Sequence, residues 1–267
     1  MTSRIPPLER LDADVAGRLR GIFCDIDDTL THEGRLVPEA FLALSRAQQA
    51  GLRVVPITGR PGGWVDQIAR LWPVDGVVGE NGGLWFYHDG HRLRRSYLQS
   101  VDERRSNRAK LDLLATQILR AVPGTALASD QSYRDLDLAI DFCEDVPALP
   151  DADIDRIVAL FEAAGATAKV SSIHVNGWFG AFDKLTGCRH LVAERWGDDL
   201  DQQLDAYAYF GDSANDEPMF AAFPCAIGVA NVERFLPRMK AWPAFITRGE
   251  GGHGFAQAID HILALRG

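Results

Sequence analysis

Cations are scarce in this chain relative to anions: 28 Lys and Arg stand against 37 Asp and Glu, a net charge of −9 over 267 residues. Such a balance argues against binding a nucleic-acid backbone, which needs clustered Lys and Arg. The run from Arg92 to Arg108 is a local exception. Asp102 and Glu103 interrupt it, and it reads as a solvated face. Cysteine is also sparse, with Cys24, Cys143, Cys188 and Cys225 scattered and no Cys-x-x-Cys pair, so neither a zinc site nor a disulfide framework is indicated. Cys24 and Cys225 sit in apolar runs and read as small core residues. No apolar stretch approaches membrane-spanning length. Arg4, Pro6, Pro7 and Glu9 leave no apolar leader near the N-terminus, and a cytoplasmic setting is the default expectation. Linkers rich in Gly or Ser are missing, as are internal repeats. What remains is a composition of 46% hydrophobic and 24% charged residues, that of a soluble globular protein with room for one large or two ordinary domains.

The most informative stretch is Gly21–Leu30, Gly-Ile-Phe-Cys-Asp-Ile-Asp-Asp-Thr-Leu. Ile22, Phe23 and Cys24 form a short apolar run, as a buried parallel strand does. It ends abruptly in Asp25, Asp27 and Asp28. Carboxylates at the carboxyl end of a central strand sit where open α/β sheets bind ligands. Crowded carboxylates repel unless a cation neutralises them. Oxygen donors with no nearby His or Cys favour Mg²⁺ over zinc. The plainer alternative is a turn or a helix cap, which Asp and Thr also favour.

Along the chain, residues 1–20 read as a short arm with a helical turn or two. Pro38–Ala50 suits a helix, Leu52–Ile57 a second apolar strand, Trp64–Leu71 a helix and Gly76–Gly79 a third strand. Pro56 is awkward in a ladder, having no N–H to donate, and is expected at the strand's loosening end. Strand, helix, strand, helix, strand is the signature of a parallel sheet with right-handed crossovers. The rhythm then changes. Leu84–Tyr87 and Arg92–Tyr97 flank a hairpin turn, a helix runs over about 102–121, and Leu136, Leu138 and Ile140 alternate with Asp137, Ala139 and Asp141 as in a half-buried strand. A second helix near Asp153–Ala164 precedes an extended Ala168–Val175 with a bend at Ser171-Ser172. This middle region reads as α+β with an antiparallel sheet. After Lys184 the first rhythm returns, through a helix at 186–196, a strand at Ala206–Gly211 ending in Gly211-Asp212-Ser213-Ala214-Asn215-Asp216, a helix at 217–223, strands at Cys225–Val229 and Phe245–Thr247, and a final helix to Leu265.

Polar clusters fall near strand ends or helix starts: Asp25/Asp27, Thr58-Gly59-Arg60, Lys184 and Asp212/Asn215/Asp216. A doubly wound sheet brings the strand-end clusters to one edge. Carboxylates there can hold a divalent cation. The cation, a Lys and exposed N–H groups can neutralise a phosphate, and a Thr hydroxyl can donate to it. One carboxylate is then left to attack phosphorus and another to shuttle a proton.

At this point the chain resembles the haloacid dehalogenase superfamily, in its phosphatase branch with a large inserted cap of the second type, as in sucrose-phosphate and mannosylglycerate-phosphate phosphatases. Asp25-Ile26-Asp27-Asp28-Thr29 matches the first motif, Ile57-Thr58-Gly59-Arg60 the second, Lys184 the third and Gly211-Asp212-Ser213-Ala214-Asn215-Asp216 the fourth. Relatives often carry Gly at the position of Asp28, and Asp tolerates the same left-handed backbone. The resemblance implies an α/β fold, a doubly wound parallel-sheet core of residues 1–83 and 183–267, interrupted by an α+β cap of residues 84–182. It implies that Asp25 is the nucleophile forming an aspartyl-phosphate and that Asp27 protonates the leaving alcohol and then activates water. Mg²⁺ would be held by Asp25, the backbone carbonyl of Asp27 and Asp212, with Asp216 supporting it from behind or through water. Thr58, Gly59 and Lys184 would grip the phosphoryl group. Asn215 has two readings, a contact to phosphate or metal and a plain helix cap. Ser132, Tyr133, Arg134, His174 and Asn176 are the cap residues placed to meet the leaving group, each also readable as structural. Trp85, Trp178 and Trp196 read as packing residues, and the Gly pair of Glu80-Asn81-Gly82-Gly83 as a hinge or a fixed turn. The implied activity is hydrolysis of a small phosphomonoester, a sugar or polyol phosphate, with no nucleic-acid or membrane partner. A phosphomutase is the alternative and would require the cap to hold a second phosphate.

Overall fold

The computed structural model describes residues 5–171 and 173–267. The start of the expected N-terminal arm, residues 1–4, and the second residue of the expected Ser171-Ser172 bend lie outside them. In chain order the elements are α1 (Ala13–Arg18), β1 (Gly21–Asp25), a small hairpin of β2 (Thr31–His32) and β3 (Arg35–Leu36), α2 (Pro38–Gln49), β4 (Arg53–Ile57), α3 (Gly62–Leu71), β5 (Val77–Gly79), β6 (Leu84–His88) and β7 (Leu93–Tyr97). Then come α4 (Val101–Ala121), β8 (Ala126–Leu127), β9 (Leu138–Asp141), α5 (Asp151–Ala163), β10 (Thr167–Val170) and β11 (His174–Trp178). The last part is α6 (Lys184–Trp196), β12 (Tyr207–Gly211), α7 (Glu217–Ala222), β13 (Cys225–Gly228), β14 (Phe245–Ile246) and α8 (Gly251–Arg266).

The large sheet has eight strands in the order β14-β13-β12-β1-β4-β5-β6-β7. It is parallel from β14 to β5, and β6 and β7 are added antiparallel. β1 lies where the strand order reverses, with β4 on one side and β12 on the other, so a crevice opens at its carboxyl end. Its apolar run is buried on both faces by alternation. Ile22 and Cys24 join one apolar layer with Leu44 and Phe255, and Phe23 joins the opposite layer with Leu191 and Phe220. α2 starts with Pro38 in its first turn, where the missing N–H costs nothing. It buries Ala40, Ala43, Leu44 and Ala47, the spacing of one helical stripe.

Pro56 sits inside β4, opposite Cys24. The ladder to β5 is a single bridge, Ile57 with Val78. On that side the N–H of Val54 is served by the Asp75 carboxylate and that of Thr58 by the Val78 carbonyl. Backbone groups alternate sides along a strand, so the donor that Pro56 lacks is missing where the sheet makes little use of one.

A second, antiparallel sheet runs β10-β11-β9-β8. α4 and α5 cover one of its faces, burying Leu111, Leu114, Ile118, Leu138, Ile140, Ile157, Phe161 and Val175 together. Ser100 and Glu103 close the start of α4 with a reciprocal capping box. Two expectations change here. The hairpin β6–β7 extends the large sheet, so the strands from Leu84 to Tyr97 belong with it and not with the inserted module that was expected to begin at 84. The reason is apolar: Leu84 and Phe86 are buried against the layer of α3, while Trp85 and Tyr87 are buried on the opposite side. β9, expected to be half-buried, is buried along its whole length. Asp141 is enclosed because its carboxylate accepts the N–H groups of Cys143, Glu144 and Asp145. No helix among the described residues is long and apolar enough to cross a membrane.

Candidate active site

The register of the central strands assembles the site. Asp25 pairs with Ile57 on β4, and Cys24 pairs with Phe210 on β12. The loops that follow, Thr58–Arg60 and Asp212–Asp216, therefore come level with Asp25. Lys184 is the first residue of α6, whose cap is the Asp183 carboxylate accepting from the Thr186 N–H at 2.8 Å. Its ammonium lies 2.7 Å from Asp25 Oδ1, 2.7 Å from Asp216 Oδ1 and 3.4 Å from Asn215 Oδ1. Asp216 Oδ1 also accepts from the Tyr209 hydroxyl at 2.5 Å, and its Oδ2 accepts the N–H groups of Asp212 and Ser213 at 3.0 and 3.3 Å. Asp212 accepts from the Thr29 hydroxyl at 3.2 Å and from Asn231 Nδ2 at 3.4 Å. Asn231 also donates to the Asp28 carbonyl and accepts from the Gly251 N–H. Asp28 adopts φ 57°, the left-handed backbone expected of a residue often replaced by Gly.

Asp25, Asp212 and Asp216 each bring an oxygen within 4.8 Å of the others. Burial pushes the Asp25 carboxyl up to about 8; Lys184 pulls it down, and the charges of Asp216 and Asp27 add to the rise. Burial, then Asp216 and Asp25, hold Asp212 well above the ordinary carboxylate range. Burial alone would lower Lys184, but the carboxylates of Asp216 and Asp25 outweigh it and keep the ammonium charged well above the usual lysine range. One ammonium thus faces three buried carboxylates. An oxygen-only donor set with excess negative charge fits a hard divalent cation. The donors are not equivalent. Asp216 is committed to Lys184, Tyr209 and two N–H groups, so it orients the others, whereas Asp25 Oδ2 takes no hydrogen bond among the described residues.

Asp27 meets Arg60, whose guanidinium lies 3.0–3.2 Å from both carboxylate oxygens. The same guanidinium reaches Glu144 at 3.4 Å and Asp130 at 3.6 Å, both on the second sheet's side, and lies 4.7 Å over the Trp64 ring. Arg134 completes the junction, donating to the Gly59 carbonyl at 2.9 Å and to Asp137 at 2.9 and 3.1 Å, and pairing with Asp130 at 3.1 Å. Beneath them, the buried Glu80 carboxylate accepts the N–H groups of Gly62, Asp135, Leu136 and Asp137. Burial and the Asp137 charge push it up to about 8 in spite of those donors. Gly82 lies against Asp183: a Cβ there would come 1.8 Å from the Asp183 carbonyl oxygen, and φ is +102°. The turn that could have been a hinge is packed tightly against the segment that leads into α6.

A cavity of about 290 Å³ opens over these groups. Asp25, Asp27, Gly59, Arg134, His174, Asn176, Lys184, Asp212 and Asn215 line it. Asn176 donates to Asp137 at 3.1 Å, and His174 Nε2 stands 2.8 Å from Glu144 Oε2 as a close contact without hydrogen-bond alignment. Burial, countered by Glu144, lowers the His174 pKa. Thr58 is fully buried behind Gly59, and its hydroxyl oxygen accepts from the Arg60 N–H at 2.9 Å. Ser132 and Tyr133 are not brought in. Both are exposed, and Tyr133 packs on Gly63. Trp178 is buried, stacks on Phe182 and lines the cavity. Trp85 donates to Glu194, and Trp196 lies under Arg53. Arg60 stands in the sequence beside Thr58-Gly59, where no local pattern marks its pairing with Asp27. Asn231 and Glu80 carried no motif at all.

Residues 22–105 match the family model of the haloacid dehalogenase-like hydrolases. A phosphoglycolate phosphatase of Pyrobaculum neutrophilum is 31% identical over 246 residues, covering 90% of this chain and 94% of that protein. A solved structure from Thermoplasma acidophilum superposes with a TM-score of 0.72 at 21% identity, over 92% of this chain and 98% of that one. A sugar phosphatase of subclass IIB gives 0.61 at 14% identity, over 92% and 99%. The chain belongs to the haloacid dehalogenase-like hydrolases. It is an enzyme of their phosphatase class.

Proposed function

We propose that this phosphatase hydrolyses a small phosphomonoester by way of a phosphoryl group carried on Asp25. The observation that carries the reading is the position of Lys184, bonded at 2.7 Å to both Asp25 and Asp216, with Asp212 completing the carboxylate cluster. Asp25 Oδ2 attacks phosphorus, and the bond to the leaving oxygen breaks. Asp27, oriented by Arg60, enters this step carrying a proton taken up from solvent on the oxygen edge that Arg60 leaves free; it gives that proton to the leaving oxygen and then, as the carboxylate, takes one from the water that cleaves the acyl-phosphate. Lys184, the Thr58 hydroxyl and the loop at Gly59 neutralise and orient the phosphoryl oxygens. Asp25, the Asp27 carbonyl and Asp212 would hold Mg²⁺, with Asp216 behind them and Asn215 beside Lys184. Bound there, the ion would supply positive charge to the transferring phosphoryl group.

The four-stranded unit, with α4 and α5, acts in this reading as a cap that excludes water and meets the leaving group. Arg134, His174 and Asn176 remain its candidates for shaping that end. The substrate is a sugar or polyol phosphate, or a phosphorylated hydroxy acid of the kind named for the Pyrobaculum relative. Arg134, the anchor expected for a phosphomutase's second phosphate, is instead committed to Asp130, Asp137 and Gly59, which removes that support for the alternative. A cytoplasmic setting accords with the free buried thiols of Cys24, Cys188 and Cys225. Turnover of p-nitrophenyl phosphate with Mg²⁺, abolished by Asp25→Asn, is the expected result. Unchanged turnover in that variant refutes the mechanism.

A further inference from the structure

Strand alternation decides which cap residues face the site. β10 and β11 pair Lys169 with Asn176 and Thr167 with Trp178, and all of these line the cavity. Their neighbours Ala168 and Val175 turn the other way, into the apolar layer under α4 and α5. The cations on the cavity wall then fall into two kinds. Arg60 is paired with Asp27 and Glu144, Arg134 with Asp130 and Asp137, and Lys184 with Asp25 and Asp216. Lys169 is different: among the described residues no carboxylate or other side chain partners its ammonium. The carboxylate cluster fixes the phosphoryl end at the core, so the leaving alcohol projects toward the cap, where Lys169 stands.

We propose that Lys169 is a specificity-determining residue, and that the substrate is a small phosphomonoester whose leaving alcohol carries a second anionic group. This rests on the phosphatase reading above and selects within it against neutral sugars and polyols. Two sources share the chemistry, a carboxylate and a second phosphate. Lys169 is exposed at the edge of the cavity it lines, and its ammonium gains a charge-assisted bond from either. It gains little from a hydroxyl.

The test compares kcat/KM, with Mg²⁺, on phosphoglycolate, a small bisphosphate and glycerol phosphate. Wild-type enzyme should favour at least one anionic substrate over glycerol phosphate by about tenfold or more, the scale of one such bond. Lys169→Met should collapse that ratio, chiefly through KM, and Lys169→Arg should restore most of it. Which anionic substrate leads tells carboxylate from phosphate. A ratio unmoved by Lys169→Met, or a wild-type preference for glycerol phosphate, overturns the proposal and leaves Lys169 as a charge protecting an edge strand. If wild type hydrolyses none of these and not p-nitrophenyl phosphate either, the phosphatase reading itself fails, and the proposal with it. That outcome is visible before any variant is made.

Discussion

The Arg60 guanidinium spans both carboxylate oxygens of Asp27 through Nε and Nη2, while its Nη1 reaches Glu144 and Asp130 across the junction with the smaller sheet. The group proposed to move the proton is therefore positioned by an arginine that the cap itself holds. Arg60→Ala should lower kcat by about 10²-fold, the scale of misplacing a catalytic group by an ångström. Arg60→Lys should recover little, since an ammonium cannot span two oxygens. Steady-state kinetics check this, and a variant within twofold of wild type would show that Asp27 orients itself.

Among the described residues, Lys184 is the sole ammonium inside the carboxylate cluster. Lys184→Met leaves Asp25 and Asp216 buried together, at a cost of about 3–5 kcal/mol in metal-free protein. Adding Asp216→Asn should return part of that stability without returning activity. Urea denaturation in chelator measures both; a single variant as stable as wild type would contradict the assignment.

Stability should also depend on pH in a set direction. Burial is the main cause of the rise to about 8 at both Asp25 and Glu80, whereas in the unfolded chain such groups titrate near pH 4. Between those values the folded chain keeps protons that the unfolded chain has released. Their contribution is complete below about pH 4 and is lost as pH rises through about 8. Melts in chelator should therefore give a lower Tm at about pH 8.5 than at about pH 5.5. Mg²⁺ should raise the alkaline value more, because it binds ionised carboxylates. An equal Mg²⁺ effect at both values would contradict this.

Gly82→Ala tests the junction. A methyl group would stand 1.8 Å from the Asp183 carbonyl oxygen at a φ of +102°. A loss of about 3 kcal/mol or more, or failure to fold, is expected from such a clash. Soluble yield and a melting curve suffice. A variant as stable as wild type would show that this turn has slack enough to be a hinge.

Much of this arrangement was legible in the chain. Asp25 could be read because an apolar strand ends on it, and Lys184 because it follows the inserted region. Asp28 could be read because Asp tolerates the backbone it adopts. The pattern Ala40, Leu42, Ala43, Leu44 and Ala47 marks α2 within a residue, although Leu42 lies exposed off the buried stripe. What stayed hidden depends on three-dimensional neighbours. The hairpin from Leu84 to Tyr97 has the local pattern of any antiparallel pair, and only its partner β5 assigns it to the large sheet. Asp141 alternates like an exposed strand residue, yet it is enclosed by the turn it caps. Glu80 accepts N–H groups up to 57 positions away, and Asn231 meets Asp28 across 203; no short window contains such a pair. Ser132 and Tyr133 were expected at the site as polar residues near a strand end, but both are exposed in a turn and Tyr133 packs on Gly63.

The most direct test is to locate the phosphoryl group. Enzyme quenched in acid during turnover with Mg²⁺, then digested and mapped by mass spectrometry, should carry phosphate on the peptide containing Asp25, and the Asp25→Asn protein should carry none. Phosphate found on another residue, or full turnover by Asp25→Asn, would contradict the account.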